Sequence, residues 1–287
     1  MGKLKIASLY SNFKKLIPAK IRLKFKPIYL KFFLRNFNKK TIVYIKKYQF
    51  HIALNPINRA VDEYIFIHRD WEPDIAKFIQ SQLKMGDTFI DIGANIGYFS
   101  MLGASIVGTS GHVISFEPIG RLVDQIKCSS RTNGFNNIKI KKLALGNNPC
   151  KMTLEIMPGN IGGSSLVKNI NSGLSEEIFV STLDLQLKDI DRVDLIKIDV
   201  EGFEYEVLKG GQDTILKHLP VIILEFSPSV YGRQKEDNSK NILKFLMARN
   251  YKILDIDYGY QCDDIDEYIL KLGKRQTNLL ASQSSWQ

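Results

Sequence analysis

The sequence contains only three cysteines and no long apolar run, and both features limit the classes of protein to which it can belong. The three cysteines, Cys128, Cys150 and Cys262, are widely spaced without a C-x-x-C pair. This spacing excludes a disulfide framework or a zinc site and suits a reducing compartment. The sequence contains no stretch of 18 uncharged apolar residues, so we predict no membrane-spanning helix. Lysines also interrupt each candidate core of a signal peptide, so we expect a cytoplasmic protein.

Catalytic motifs of several enzyme classes are missing as well. The four histidines show no spacing typical of metal ligands, and neither a G-x-S-x-G elbow nor a P-loop is present. These absences argue against a serine hydrolase, a P-loop nucleotidase and a histidine-ligated metalloenzyme.

Acidic residues are missing from the N-terminal arm, residues 1–47, which contain 14 Lys and Arg but no Asp or Glu. The rest of the chain carries 26 basic and 30 acidic residues, so the high pI of about 9.3 comes from this arm. Pro18 and Pro27 divide this arm into short segments in which apolar and basic side chains alternate. We predict each of these segments to be helical. Three roles of the arm stay open. It would cap the rest of the chain, anchor the protein to the anionic inner surface of a membrane, or bind a polyanion. Nucleic acid is the least favoured of these partners.

Predicted strands alternate with predicted helices over most of the chain, which indicates an α/β fold with helices on both faces of a mostly parallel sheet. The expected organisation is a basic arm (1–47), a hairpin and helix leading into the core (48–84), a catalytic domain (85–273) and a C-terminal tail (274–287). The hairpin is predicted within 41–54. The main predicted strands lie at 89–92, 112–116, 138–145, 152–157, 177–183, 194–200, 221–226 and 251–257. The main predicted helices lie at 73–83, 98–107, 119–132, 203–217 and 239–250.

The segment DTFIDIGANIG, residues 87–97, carries most information. An apolar run ends at Asp91, a turn follows with Gly93, Asn95 and Gly97, and a helix begins at Tyr98. A strand, an acid, a glycine turn and a helix N-terminus together predict a pocket for an adenosine cofactor. A nicotinamide site normally shows G-x-G-x-x-G. The spacing D-x-G-x-N-x-G favours S-adenosylmethionine (SAM), which has no phosphate.

The next predicted strand ends in Glu117 and Pro118. In dinucleotide folds an acid at the end of the second strand, about 20 residues after the glycine turn, binds the ribose hydroxyls. We predict this role for Glu117, although a polar strand end before a proline would give the same pattern.

Two later strands also end in acids, namely Asp199 with Glu201, and Glu225. Together with Asp91 and Glu117, they close four predicted parallel strands. Because ligands of open α/β sheets lie at the carboxyl ends of the strands, these four strand ends predict an acidic cleft. Lys197, Asp199 and Glu201 share one face by the period of two. Asp199 or Glu201 would bind an acceptor hydroxyl or remove its proton, while an ion pair of Lys197 that only organises the sheet is the alternative. Carboxylates of this kind also suit magnesium, but no metal site is predicted.

Taken together, these runs resemble the FkbM-type family of SAM-dependent methyltransferases. The matching blocks are FIDIGANIGYFS (89–100), FEP (116–118), GGSSL (162–166), STLDLQL (181–187), DLIKIDVEGFEYEVLKG (194–210) and ILEFSP (223–228). The resemblance spans about residues 60–260 and implies a seven-stranded, Rossmann-like class I methyltransferase core.

The resemblance also implies roles for individual residues. It implies that SAM is bound by Asp91, Gly93, Ala94, Asn95, Gly97, Tyr98, Glu117, Pro118, Ala144 and Asp199, with Ala144 bordering the adenine. Asp199, Glu201 and Lys197 would be catalytic, and Ser164, Ser165 and Glu225 would face the substrate. The implied reaction is O-methylation of a sugar, a glycan or a natural product.

Other activities stay open at this point. A nucleic-acid methyltransferase recruited by the basic arm and a non-catalytic, membrane-associated scaffold with the same fold are the alternatives. The sequence determines neither the acceptor nor the oligomeric state.

Overall fold

The computed structural model describes residues 40–56, 59–160, 163–164, 173–228 and 238–283. From Thr41 onwards these residues belong to one compact unit. The predicted arm lies outside the described residues except for 40–47, and so does Ser165.

Twelve strands occur in the described part of the chain. They are β1 (Thr41–Ile45), β2 (Phe50–Leu54), β3 (Thr88–Ile92), β4 (His112–Phe116), β5 (Ile138–Lys141), β6 (Ala144–Leu145), β7 (Cys150–Glu155), β8 (Ser175–Ser181), β9 (Leu195–Ile198), β10 (Val221–Phe226), β11 (Lys252–Asp255) and β12 (Thr277–Ser282). The described helices are α1 (Arg59–His68), α2 (Pro73–Gln82), α3 (Tyr98–Val107), α4 (Gly120–Asn133), α5 (Leu183–Leu187), α6 (Glu204–Lys209), α7 (Gln212–His218), α8 (Asn238–Met247) and α9 (Ile265–Leu272).

Seven strands form the central sheet in the order β11-β12-β10-β9-β3-β4-β5. The strands from β10 to β5 run parallel, whereas β12 is antiparallel to both β10 and β11. This sheet confirms the prediction of a seven-stranded, mostly parallel core. A smaller sheet, β6-β8-β7, and the hairpin β1-β2 lie outside it.

The central sheet is covered on both faces, as β3 illustrates. Ile90 and Ile92 belong to the core cluster that includes Leu243 and Leu246 of α8. The alternate residue Phe89 faces α3, where a Cβ on Gly103 would come within 2.4 Å of its ring. Since successive side chains of a strand point to opposite faces, β3 is buried throughout.

The hairpin packs on the helices beside the sheet. Its β2 backbone is held by α4, because Asn133 Nδ2 donates to the His51 carbonyl at 2.6 Å and the Ala53 N–H donates to Ser129 Oγ at 2.9 Å. The hairpin begins at Thr41, so the predicted boundary at residue 47 is wrong because it divides this element.

Three other predictions differ from the structure. The strand predicted at 138–145 divides into β5 and β6, which belong to different sheets. The helix predicted at 203–217 divides into α6 and α7 at Gly210, where a Cβ would lie 2.0 Å from the Gly146 carbonyl oxygen. The predicted C-terminal tail is wrong, because 277–282 form the buried strand β12 inside the central sheet.

None of the helices in the described ranges combines the length and the apolar character needed to cross a bilayer.

Candidate functional site

The turn between β3 and α3 touches the end of β9. Gly93, Asn95 and Gly97 all have positive φ angles, of 77°, 54° and 84°. A Cβ on Gly93 would lie 1.8 Å from the Asp199 carbonyl oxygen. The Gly93 and Ala94 N–H groups both donate to the Phe116 carbonyl at 3.0 Å. Glycine at 93 is therefore required both by its positive φ angle and by the close approach of the backbone at Asp199.

Asp91 lies beneath this turn and is fully buried. Its Oδ2 accepts a hydrogen bond from Ser100 Oγ at 2.5 Å, and Ser115 Oγ donates to Ser100 Oγ at 2.8 Å. Burial raises the pKa of Asp91, an effect that Lys197 on the neighbouring strand opposes. Within the described part of the chain, Asp91 Oδ1 has no hydrogen-bond partner. One oxygen of this buried carboxylate is therefore left without a hydrogen bond from the described residues.

Glu117 follows β4 and is also buried. Its two oxygens accept the N–H groups of Asn95 and Ile119, each at 2.9 Å. Burial nevertheless raises the pKa of Glu117 to about 8, because the two backbone N–H groups oppose the loss of solvation only in part.

Glu117 lies in the first of two cavities, which is lined mainly by apolar side chains. Pro118, Ala144 and Ser164 line the same cavity. Ser164 Oγ accepts a hydrogen bond from the Met157 N–H at 3.0 Å. The apolar lining consists of Ile92, Phe116, Ile119, Leu122, Leu143, Leu145, Leu154, Ile178, Val200 and Phe203. Such an apolar surface beside the one buried carboxylate, Glu117, fits an adenosine group, with its flat base and its ribose hydroxyls.

The second cavity has a volume of about 220 Å³ and an acidic lining. Its charged residues are Glu72, Lys197, Asp199, Glu201 and Glu225. The other polar and aromatic residues of its wall are Trp71, Asn95, Tyr98, Phe99, Asn160 and Gln276.

Lys197 is the cation of this cavity and is buried. Its Nζ lies 3.0 Å from Asp199 Oδ2 and 5.0 Å from the centre of the Phe99 ring. Burial alone would lower the pKa of Lys197, but Asp199, Asp91 and Glu72 outweigh it and raise the pKa. Lys197 is therefore a permanent positive charge that holds the Asp199 carboxylate in place.

Three carboxylates cluster beside Lys197. Asp199, Glu201 and Glu225 each place an oxygen within 4.8 Å of the others. Glu225 Oε1 also accepts a hydrogen bond from the Gln276 side chain, and burial followed by repulsion from Asp199 raises the pKa of Glu225. The spacing would allow a divalent cation, but Lys197 already supplies positive charge here, and we assign no metal to the cluster.

The backbone holds Glu201 in a strained conformation. Its φ is +55°, an angle that few residues other than glycine adopt, and Gly202 follows at +106°. The buried Glu204 carboxylate accepts the Val200 and Gly202 N–H groups at 3.1 and 3.2 Å. These two bonds fix the loop that carries Glu201.

Glu72 is a member of the site that the sequence analysis does not predict. It precedes α2, which is not an element of the sheet, and its carboxylate nevertheless lines the second cavity. Burial and the negative charge of Asp199 raise the pKa of Glu72 to about 7. An acid before a proline-led helix normally indicates only a helix-terminal charge, so the sequence gives no separate signal for this position.

The two cavities adjoin at four residues, Gly93, Asn95, Asp199 and Glu201, which line both. Ala94, Tyr98, Lys197 and Glu225 line only the second cavity. Asp91 and Gly97 line neither and support the turn from below. A ligand that filled the first cavity would thus expose one end to the acidic cavity.

The family model described as the methyltransferase FkbM domain matches residues 91–275. The chain belongs to the FkbM methyltransferase family. Residues 91–275 therefore form a SAM-dependent methyltransferase domain with a Rossmann-like fold, as predicted. The apolar first cavity with Glu117 fits that cofactor, and so does Asp91 Oδ1 beneath the glycine turn, which has no hydrogen-bond partner among the described residues.

Individual similar proteins are distant. The hexuronic acid methyltransferase AglP of Haloferax volcanii is 26% identical over 159 residues, covering 55% of this chain and 64% of AglP. The chain therefore spans less than two thirds of that relative. The crystal structure of an FkbM methyltransferase from Methylobacillus flagellatus KT is 19% identical, with a TM-score of 0.44, over 77% of this chain and 52% of that one. Aeropyrum pernix fibrillarin, solved with natively bound SAM, is 13% identical, with a TM-score of 0.42, over 72% of this chain and 73% of that one.

Proposed function

We propose that the protein transfers the methyl group of SAM to a hydroxyl of a sugar, a glycan or a natural product. The observation that carries this proposal is the junction of an apolar cavity and an acidic cavity at Gly93, Asn95, Asp199 and Glu201. The hexuronic acid methyltransferase among the similar proteins supports a sugar acceptor.

The cofactor-binding roles follow from the position of each residue. Glu117 would accept the ribose hydroxyls, and Pro118 and Ala144 would border the adenine, since all three line the first cavity. Asn95, at the junction, and Asp91, beneath the turn, would bind the amino-acid end. When bound, SAM supplies a methyl group activated by a sulfonium.

The acceptor roles belong to the second cavity. Asp199 and Glu201 would bind the acceptor hydroxyl and direct its oxygen towards the methyl group, because they alone among the acids line both cavities. Lys197 would hold the Asp199 carboxylate in place through their ion pair. Most of the rate gain would come from positioning, which can supply about 7–11 kcal/mol of a barrier in favourable cases.

Two titrations and one screen test the proposal. Calorimetry should show micromolar binding of SAM, no binding of NADH, and loss of SAM binding in Asp91→Ala. Labelled SAM would then be incubated with neutral hexosides, hexuronates and glycolipids, and the product analysed for a methyl ether. Binding of SAM without transfer to any hydroxyl acceptor would contradict the O-methylation of sugars.

A nucleic-acid acceptor is the second candidate, favoured by the 14 basic residues of the arm. It predicts RNA or DNA binding that weakens steeply with salt and disappears when residues 1–47 are removed. The acidic lining of the second cavity opposes a polyanion. Vesicles of anionic lipid would test the other proposed partner of the arm in the same assay format.

A further inference from the structure

Glu72 lies outside residues 91–275, which match the family model, and yet it lines the acidic cavity. We propose that Glu72 is a catalytic residue whose carboxylate receives the proton of the acceptor hydroxyl during methyl transfer. This inference rests on the proposed function and assigns the proton to a different group from Asp199 and Glu201.

The backbone at Glu72 is strained. Its φ and ψ are 39° and 68°, in the left-handed region, although it precedes Pro73. Left-handed angles and a following proline are both unfavourable for such a residue, and strain of this kind costs on the order of 1–3 kcal/mol. The side chain makes no capping hydrogen bond to α2. The strain therefore does not serve a cap of the helix, and Glu72 lines the cavity instead.

Asp70 holds the strained segment in place. Its carboxylate accepts hydrogen bonds from Lys47 Nζ at 3.0 Å, Tyr98 Oη at 3.2 Å and the Trp71 N–H at 3.0 Å. Lys47 belongs to the hairpin, and Tyr98 is the first residue of α3, directly after the glycine turn. The segment that carries Glu72 is thus tied to the turn that binds the cofactor.

The charges of the cavity favour Glu72 over Asp199 as the proton acceptor. The Asp199 carboxylate is already engaged by Lys197, whose Nζ lies 3.0 Å from Asp199 Oδ2. Within the described part of the chain, no ion pair or hydrogen bond engages the Glu72 carboxylate, and its pKa of about 7 suits a base at neutral pH. The charged groups around Glu72, including those of its own segment, are Asp70, Asp74, Lys197, Asp199, Glu201, Glu225 and Asp257.

The proposed step balances without a further reactant. The bond between the acceptor oxygen and the methyl carbon forms as the carbon–sulfur bond breaks, and the sulfur keeps the electron pair. The hydroxyl proton passes to a Glu72 oxygen, from which it leaves to water after the product dissociates.

Proton release on cofactor binding tests the position of Glu72 without an acceptor. Calorimetry at pH 7 in two buffers of different ionisation enthalpy would count the protons released when SAM or S-adenosylhomocysteine binds. Only SAM carries a positive sulfonium, which should lower the pKa of a nearby carboxyl, so SAM should release roughly half a proton more. Glu117 faces the ribose of both ligands, and its contribution cancels in the difference.

Glu72→Gln should abolish this difference, whereas Asp74→Asn, at an exposed acid on the same helix, should keep it. A difference that persists in Glu72→Gln, or that disappears only in Glu225→Gln, overturns the proposal. If Glu72→Gln does not fold, Glu72→Asp replaces it and should shift the pH at which the extra proton is released.

Turnover with an acceptor from the screen gives the second readout. In the wild type, kcat/KM for SAM should rise with pH through about 7, the pKa of Glu72 in the free protein, and kcat should rise through a lower pH because bound SAM lowers that pKa. Glu72→Gln should lower kcat by about 10²–10⁴-fold and remove both rises, while the Kd for SAM rises by no more than a few-fold. An unaltered pH profile in Glu72→Gln overturns the assignment. If no hydroxyl acceptor is found, the proposed function and the base role fail together, while the proton count still reports whether Glu72 faces the sulfonium.

Discussion

The two cavities of the site are built from different parts of the molecule. The first cavity is mainly apolar and contains one buried carboxylate, Glu117. Most of its wall comes from the ends of the central strands and from the small sheet β6-β8-β7. The second is acidic, and Glu72 and Gln276 reach it from segments outside the parallel strands. The cavity proposed for the cofactor therefore follows from the sheet, whereas the cavity proposed for the acceptor also depends on segments added around the sheet. We expect acceptor choice to reside in those segments.

The largest effect should come from a change at the junction itself. Gly93→Ala should abolish SAM binding and activity, because the added Cβ would meet the Asp199 carbonyl oxygen at 1.8 Å. Gly134→Ala is the matched control, since Gly134 also has a positive φ but nothing within 4 Å of the added Cβ. It should cost only about 1 kcal/mol of unfolding free energy. Equal losses in both variants would show that backbone strain alone matters at Gly93.

The next effect should separate the two cavities. Asp199→Ala should lower turnover by about 10²–10⁴-fold and change the Kd for SAM by no more than a few-fold. Asp266→Ala, at an exposed acid paired with Lys240, is the control for the loss of one negative charge. Full turnover in Asp199→Ala would remove Asp199 from the acceptor machinery.

A change on the cofactor side should give the opposite pattern. Glu117→Gln should raise the Kd for SAM and for S-adenosylhomocysteine by the same factor, about 10-fold, because one hydrogen bond to a charged group contributes about 1.5–3 kcal/mol. Calorimetry with both ligands measures this effect. A loss confined to SAM would place Glu117 near the sulfonium instead of the ribose.

The stability of the free protein should fall as pH rises from about 5 to 8. The folded-state pKa values of Glu117 (about 8) and Glu72 (about 7) lie above the ordinary value of 4.5. The native state therefore binds more protons than the unfolded state in this window, and stability declines as they are lost. Thermal melts should show this slope, and Glu117→Gln should reduce it. An unchanged slope in that variant would contradict the burial of an ionisable group at 117.

The smallest effect on turnover should come from a substitution of Asp70, which supports the segment that carries Glu72. Asp70→Asn removes the charge of a residue that binds Lys47 and Tyr98. We expect turnover to fall by only a few-fold, since an amide retains an oxygen acceptor, and SAM binding to stay within error. A large loss of SAM affinity would mean that Asp70 supports the glycine turn more than it supports Glu72.

The sequence predicts the strand-end acids because the carboxyl ends of parallel strands meet at one edge of a sheet. Glu117 follows β4 and lines the first cavity, and Asp199 and Glu225 line the second, as the pattern indicates. The ion pair of Lys197 with Asp199 was also foreseeable, since residues two apart share a face. Ser164, for which the resemblance implies a position facing the substrate, lines the apolar cavity.

Glu72 and Gln276 were not foreseeable in the same way. Neither lies at the end of a parallel strand. The position of Glu72 depends on the loop before α2, and that of Gln276 depends on the antiparallel strand β12, which it precedes. The strand β12 is also hidden in the sequence, because TNLLAS is short and lacks a clear alternation of apolar and polar residues. Tertiary contacts therefore decide the acceptor side, while local pattern decides the cofactor side.

The place of β12 has a consequence for biosynthesis. β10 and β11 leave the ribosome before the strand that joins them, and among the described strands β11 pairs with β12 alone. Until β12 inserts, β10 presents an unpaired edge that could pair with other chains. Gln276, which binds Glu225, enters the cavity with this strand. The nascent chain should therefore need protection from aggregation, and its acceptor site should be completed only by the last pairing of the sheet.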